Sequence, residues 1–304
     1  LLYGPFFLNH GPERLVESLL DKLTSGRIET DVIEFRGIEF RSVDNRLISL
    51  KLVQLGLSGA AMFGPDGEVL QPSEVLYKKA VLVERGSFRP PTHVNVDMLR
   101  CALEKFKVDP AVTGKTVLPI YELTMRNLLA GGHDIDRRDF LARADLLAAC
   151  GMTVLISDYF EYYRLAAYLA WRTKERIGIV MGVPSLVELF DERYYTKLPG
   201  GILESFGRLF KNDLKLYVYP LLNQETGELT TVENLTVAPE LTKLYGYLQD
   251  RGSFVALDNF NRDYLSIFSR DVLKNIASGE SWEHMVPEQV AAMIKKRGFF
   301  GSRD

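Results

Sequence analysis

Cysteine, tryptophan and histidine are all scarce in this chain, with two, two and four among 304 residues. Cys101 and Cys150 lie in apolar, helix-like stretches with no second cysteine at a pairing or metal-ligating distance. A disulfide framework and a cysteine zinc site are therefore not indicated, and a reducing, cytoplasmic setting is expected. An excess of either charge is missing too: 37 Lys and Arg face 40 Asp and Glu, for a net charge of -3. That removes any broad electrostatic reason to bind nucleic acid or an anionic membrane, so a phosphate site has to be local. No run of eighteen residues is free of charge, and no basic-then-apolar leader opens the chain, which argues against a membrane span or signal peptide. The opening Leu1-Leu2-Tyr3-Gly4 lacks Met and reads as a soluble fragment or processed product.

What the chain does have is a repeated alternation of short β-branched runs with amphipathic segments, the signature of an α/β fold. The clearest strands are expected over Ala80 to Glu84, Thr153 to Ser157, Ile177 to Met181 and Leu214 to Tyr219. Near-continuous apolar runs of this kind suit a parallel sheet covered on both faces. Helices are expected over Val94 to Lys107, Tyr162 to Thr173, Ser185 to Phe190, Gly201 to Phe210 and Pro239 to Asp250. With right-handed crossovers this order builds a doubly wound sheet. Residues 1–76 differ, combining an early helix (Glu13 to Leu23), strand-like Asp31 to Phe35 and a Gly64-Pro65-Asp66-Gly67 turn, and read as a small α+β appendage. Gln71-Pro72-Ser73 is the expected seam before a second unit over 77–304, and Glu225 to Glu233 reads as a polar surface turn.

Ligands of open α/β sheets bind beyond the carboxyl ends of the strands. Beyond the first strong strand the chain reads Gly86-Ser87-Phe88-Arg89-Pro90-Pro91-Thr92-His93-Val94-Asn95. Glycine and proline set a tight loop, and the helix after it aims free N–H groups and a positive dipole end at whatever anion sits there. The plain alternative is a strand-to-helix turn with Thr92 as N-cap.

Four ordered segments carry a resemblance. The loop is similar to the Gly-Ser-Phe-Asp-Pro-x-(His or Thr)-x-Gly-His motif of nicotinate and nicotinamide mononucleotide adenylyltransferases, with Thr92 on the seventh position and Asn95 on the last. Val154 to Asp158 with Glu161 to Leu165 resembles that family's Val-Ser-Asp strand end and following helix. Gly182-Val183-Pro184-Ser185-Leu186 resembles its Gly-Ala-Asp-Ser-Leu segment. Ile267 to Leu273, with Met285-Val286-Pro287, is similar to its closing Ile-Ser-Ser-Thr-x-Ile-Arg helix and Leu-Val-Pro tail. The resemblance covers residues 77 to 300 and implies a Rossmann-like nucleotidyltransferase fold. It further implies adenylyl transfer from ATP, accompanied by magnesium, to a mononucleotide, with pyrophosphate leaving and the protein supplying position and charge. Thr92, His93 and Asn95 would stand at the catalytic positions. Gly86, Ser87, Phe88, Arg89, Gly182, Ser185, Ser269, Arg270 and Lys274 would bind nucleotide or phosphate.

The departures weigh as much. Asn95 replaces a His and cannot carry a positive charge toward the transition state. His93, about 200° away around the helix, is a poor substitute. Pro184 replaces an Asp, Arg89 adds a cation where an Asp is usual, and Phe268, Arg270 and Leu273 replace Ser, Thr and Arg. An active adenylyltransferase and a catalytically reduced homologue that binds a nucleotide or a partner protein both fit, and the sequence leaves room for a homo-oligomer. Other conspicuous residues take plainer readings. Tyr159, Phe160, Tyr162, Tyr163 and Tyr168 read as core and interface packing, with base stacking as the alternative. Asp136 to Asp139 and Gly200-Gly201 read as helix starts, and Glu188, Asp191 and Glu192 as an exposed helical face. His10, His133 and His284 have no ligand-like companions.

Overall fold

The computed structural model describes residues 11–19, 30–129 and 134–302. His10 and His133 lie outside them. In chain order, α1 (Pro12–Ser18) and α2 (Asn45–Gln54) precede β1 (Ala60–Phe63), β2 (Val69–Leu70) and the short α3 (Pro72–Val75). Then come β3 (Ala80–Arg85), α4 (His93–Lys107), β4 (Val117–Thr124), α5 (Met125–Leu129), α6 (Arg137–Ala149) and β5 (Thr153–Ser157). They are followed by α7 (Tyr162–Arg172), β6 (Ile177–Gly182), α8 (Val183–Leu189), α9 (Gly201–Leu209) and β7 (Lys215–Tyr219). A small hairpin of β8 (Leu221–Leu222) and β9 (Leu229–Thr230), then α10 (Thr242–Asp250), β10 (Phe254–Ala256), α11 (Ser269–Ser278) and α12 (Glu288–Arg297), completes the chain.

The main sheet runs β10-β7-β6-β3-β4-β5-β1-β2, and the first six strands of that order are parallel. The parallel part begins at β3 in the middle and builds outward through β4 and β5. It then crosses back to β6 on the other side of β3 and builds outward again. That is the doubly wound order, with its switch point between β3 and β6. The four strands expected from the sequence all lie in this parallel set.

Burial explains why these runs are strands. Ala80 to Val83, Val154 to Ile156 and Ile179 to Met181 are buried because helices cover both faces. One face packs beneath α7, α8, α9 and α10, with Leu165, Leu186, Phe206 and Leu248 against Val83, Ile179 and Val218. The other packs beneath α4, α6 and α2, with Met98, Phe106, Phe140 and Val53 against Leu82, Tyr121 and Ile156. Helices α11 and α12 close over the outer side of α6 through Leu146, Val272, Val286 and Ile294.

Strand β4 escapes a pattern reading because Pro119 interrupts it, and proline cannot donate to a ladder. It is tolerated because the β5 pairing begins only at Ile120, opposite Thr153. The α+β segment before residue 77 is present and extends the main sheet: β1 runs antiparallel beside β5, and β2 beside β1 across the Gly64–Gly67 turn. One expectation there is corrected. Asp31 to Phe35 forms no strand; the Phe35 backbone instead bonds both ways to the Asn45 side chain, at 2.8 and 3.2 Å, and Ile33 and Phe35 pack against Ile48 and Leu52. The early helix ends at Ser18, and Leu20 to Leu23 lie outside the described residues.

Candidate functional site

At the switch point, the end of β3 and the start of α8 open a cavity of about 250 Å³. Arg85 lines it and belongs to a buried ion pair. Arg85 closes β3 and Glu122 sits opposite it on β4, as register partners. Arg85 Nε donates to Glu122 Oε2 at 2.7 Å and Nη2 to Oε1 at 2.9 Å, with the arginine side chain 9% exposed and the glutamate 0%. Ser157 Oγ, at the end of β5, donates to the same Oε1 at 2.5 Å. Arg85 also donates to the carbonyls of Phe160 at 2.5 Å and Tyr159 at 2.7 Å, and its guanidinium lies 4.3 Å from the centre of the Tyr162 ring. Burial opposes the charge on Arg85, but Glu122 more than offsets this and lifts its pKa above the ordinary guanidinium range. The walls are Gly86 and Ser87 from the loop, Thr124 at the end of β4 and Asn127 on α5, Phe160 and Tyr162 after β5, and Ser185 and Glu188 on α8. Tyr194 completes an aromatic side, 5.6 Å from Phe160 between ring centres.

The sequence-expected residues divide into those at this cavity and those elsewhere. Gly86, Ser87 and Ser185 line it. Phe88 does not: it adopts φ 44°, is 1% exposed, and packs under the loop against Tyr121 at 4.7 Å. Gly86 is required above that ring, because a Cβ there would come within 2.9 Å of it. Gly182 is the N-cap of α8. Ser269 opens α11 and donates to the Pro90 carbonyl at 3.2 Å, so the closing helix does meet the loop, outside the cavity lining. Arg270 and Lys274 are exposed, and Arg270 stacks on Phe268 at 4.8 Å.

The three residues expected at catalytic positions, Thr92, His93 and Asn95, are occupied locally. Thr92 and Asn95 form a capping box at the start of α4: Asn95 Oδ1 accepts from the Thr92 N–H at 3.0 Å, and the Thr92 side chain serves the Asn95 N–H in return. The Asn95 amide nitrogen donates to Glu84 Oε1 at 3.0 Å. Donors that an incoming phosphate would need at this helix end are thus partly satisfied within the protein. His93 stacks on Tyr264 at 4.8 Å, and burial, then His284, holds its pKa below the ordinary imidazole range. It therefore does not restore the cation that Asn95 lacks.

Arg89 is a correction to the expected cleft-facing cation. It is absent from the cavity lining, its side chain is 47% exposed, and its Nε donates to Asp139 at 2.6 Å. Asp139 also pairs with buried Arg143, which donates to the carbonyls of Ser87 at 3.2 Å and Asn127 at 3.1 Å and so braces the loop from behind. Because Arg143 would keep Asp139 paired, Arg89→Ala should change stability by less than about 1 kcal/mol, as for an exposed ion pair. A loss of unfolding free energy in urea of more than twice that amount would show the pair to be structural.

Arg85, Glu122 and Arg143 are the residues that sequence reasoning missed. A signal was there: Arg85 and Glu122 are opposite charges near the ends of apolar runs, where a parallel sheet places ligand-facing groups. The aromatic cluster splits. Tyr159 and Tyr168 pack together at 5.1 Å, while Phe160 and Tyr162 face the cavity. Glu188 is exposed, as expected, and also lines the cavity. Among the described residues no three His, Cys, Asp or Glu side chains are grouped to hold a metal ion, and no helix is long and apolar enough to cross a membrane.

The strand order and the crevice define a doubly wound, Rossmann-type α/β domain with a small pocket at its switch point. No protein-family model and no curated protein matches the chain. Among solved structures it is similar to the Plasmodium falciparum nicotinic acid mononucleotide adenylyltransferase complexed with APC, at 9% identity and a TM-score of 0.44, covering 74% of this chain and 98% of the other. A Vibrio parahaemolyticus protein provisionally assigned as a nicotinate-nucleotide adenylyltransferase is also similar, at 12% identity and a TM-score of 0.29, covering 74% and 97%.

Proposed function

We propose that this chain is a nucleotidyltransferase-like protein that holds a mononucleotide at the switch point and joins it to ATP. The observation that carries the reading is the pocket itself: polar loop groups at Gly86 and Ser87 face Ser185 across the β3–β6 crevice, beside an aromatic side formed by Phe160, Tyr162 and Tyr194. An aromatic base or pyridine ring can stack on such a side. The reaction would be an in-line displacement. A phosphate oxygen of a mononucleotide such as nicotinate or nicotinamide mononucleotide forms a bond to the α-phosphorus of ATP, the bond to the bridging oxygen breaks, and pyrophosphate leaves. Magnesium would arrive with the triphosphate, since it is commonly held through substrate phosphates and one or two carboxylates.

A second reading, binding without turnover, is favoured by one observation. Asn95 is neutral and already engaged with Thr92 and Glu84. Losing one electrostatic donor at a transition state costs about a hundredfold or more in rate. Incubation with ATP, magnesium and a panel of mononucleotides, with pyrophosphate as the readout, decides between them. Pyrophosphate that requires both substrates supports transfer. Calorimetric binding of a mononucleotide with no pyrophosphate supports the second reading, and neither signal would contradict both.

A further inference from the structure

We infer that a second groove, between α7 and the end of α9, docks an acidic segment of a partner protein that carries a bulky apolar side chain.

The groove has a volume of about 860 Å³ and reaches Ile177, the first residue of β6. The switch-point pocket opens beyond the other end of that strand, roughly 16 Å away along it. No residue lines both. On α7, Arg164, Ala167 and Trp171 fall on one exposed stripe by their spacing of three and four, and Lys174 follows just past the helix. Arg208 on α9 and Lys211 after it form the other wall. Trp171 is 63% exposed, a large aromatic surface of the kind that interface cores cover, and the small Ala167 and Ala170 leave space beside it.

Charge identifies the partner's chemistry. Four cations, Arg164, Lys174, Arg208 and Lys211, and one acid, Glu175, line the groove. Glu175 is held by Lys115 at 3.2 Å. Lys211 has no ion pair among the described residues, and Lys174 donates to the Ala170 carbonyl at 3.1 Å rather than to a carboxylate. Arg164 pairs with Glu161 at 3.4 Å and Arg208 with Glu204 at 2.5 Å, each one helical turn away and partly exposed, so incoming carboxylates can replace these partners at little cost. Two uncompensated lysines and two exchangeable arginines thus face one space, in a chain whose net charge is -3.

The same geometry favours carboxylates over nucleobases. A guanidinium lies over each aromatic ring of the groove: Arg208 at 5.6 Å from Tyr163, Arg164 at 5.5 Å from Tyr159, and Arg172 at 4.3 Å from Trp171 and 5.2 Å from Tyr168. A guanidinium resting on a ring keeps N–H edges for carboxylate oxygens, whereas a base would compete with it for the ring.

The test is fluorescence anisotropy of the full chain with the labelled peptide Asp-Glu-Asp-Phe-Glu-Asp-Glu, its counterpart with every acid replaced by the amide, and a single-stranded oligothymidylate. The expected result is saturable binding of the acidic peptide, at least tenfold weaker binding of the amide peptide, and an affinity that falls as salt is raised. Arg208→Glu combined with Lys211→Glu should weaken binding at least tenfold, and Lys174→Glu several-fold from the opposite wall. Trp171→Ala should abolish the tryptophan fluorescence change on binding, since Trp282 is buried in a different cluster. Circular dichroism of each variant establishes that it is folded. No binding of the acidic peptide, equal binding of the amide peptide, affinity unchanged in both charge-reversed proteins, or tighter binding of the oligothymidylate overturns the inference.

Discussion

Replacing Glu122 by Ala should cost about 3–5 kcal/mol of folding stability, the scale on which a buried ion pair punishes loss of one partner. Arg85 would keep its charge, 9% exposed, with only two backbone carbonyls and the Tyr162 ring for company. Ser157 would lose its acceptor as well. Glu122→Gln keeps one oxygen for Arg85 and should cost less. Urea unfolding of the three proteins, compared at equal slope, checks the order. A Glu122→Ala unfolding free energy within about 1 kcal/mol of the starting protein would mean that the pair is solvated and not the buried contact that the geometry shows. The same pair ties the ends of β3, β4 and β5 together, so the pocket's shape and the domain's stability depend on shared contacts.

Glu84 should reveal itself through pH. It is 1% exposed on β3, Asn95 satisfies its Oε1, and its Oε2 has no partner among the described residues. Burial, opposed only by the Asn95 hydrogen bond, raises its pKa well above the ordinary carboxyl value. The sign follows directly. In the unfolded chain a glutamate releases its proton near pH 4.3, whereas the folded chain retains it. The contribution to stability is therefore full below that pH and is lost as pH rises toward the folded pKa, by about 1.4 kcal/mol per unit. Glu84→Gln removes the titration and keeps an oxygen for Asn95. The variant should match the starting protein near pH 4 and exceed it by a growing margin as pH rises to 7. Parallel stability curves across that range would show that Glu84 ionises freely in the folded protein.

How much of this was legible in the sequence depends on where each signal is stored. Four parallel strands could be read because each is buried on both faces and so appears as an unbroken apolar run. β4 could not, since Pro119 disguises a strand whose tolerance for proline depends on where β5 begins. The loop after β3 was legible as a turn into a helix, and Thr92 does cap α4. Its polar side chains were harder to place. Whether Arg89 faces a ligand or Asp139, fifty residues on, depends on how α6 docks, which no local pattern records. Asn95 carried two meanings at once: a replaced catalytic residue in the motif, and the third residue of a capping box, whose chemistry is equally well served by an amide.

The central claim is that the switch-point pocket holds a mononucleotide, and titration calorimetry with a pocket-blocking variant addresses it most directly. Ser185 lines the cavity from α8 and is partly exposed, so Ser185→Trp should fill the space while leaving the sheet intact. The account predicts one binding site for nicotinamide mononucleotide in the unaltered chain and at least tenfold weaker binding in Ser185→Trp, with the two unfolding free energies within about 1 kcal/mol of each other. Equal affinity in the two proteins, or no binding heat in the unaltered one, would contradict it.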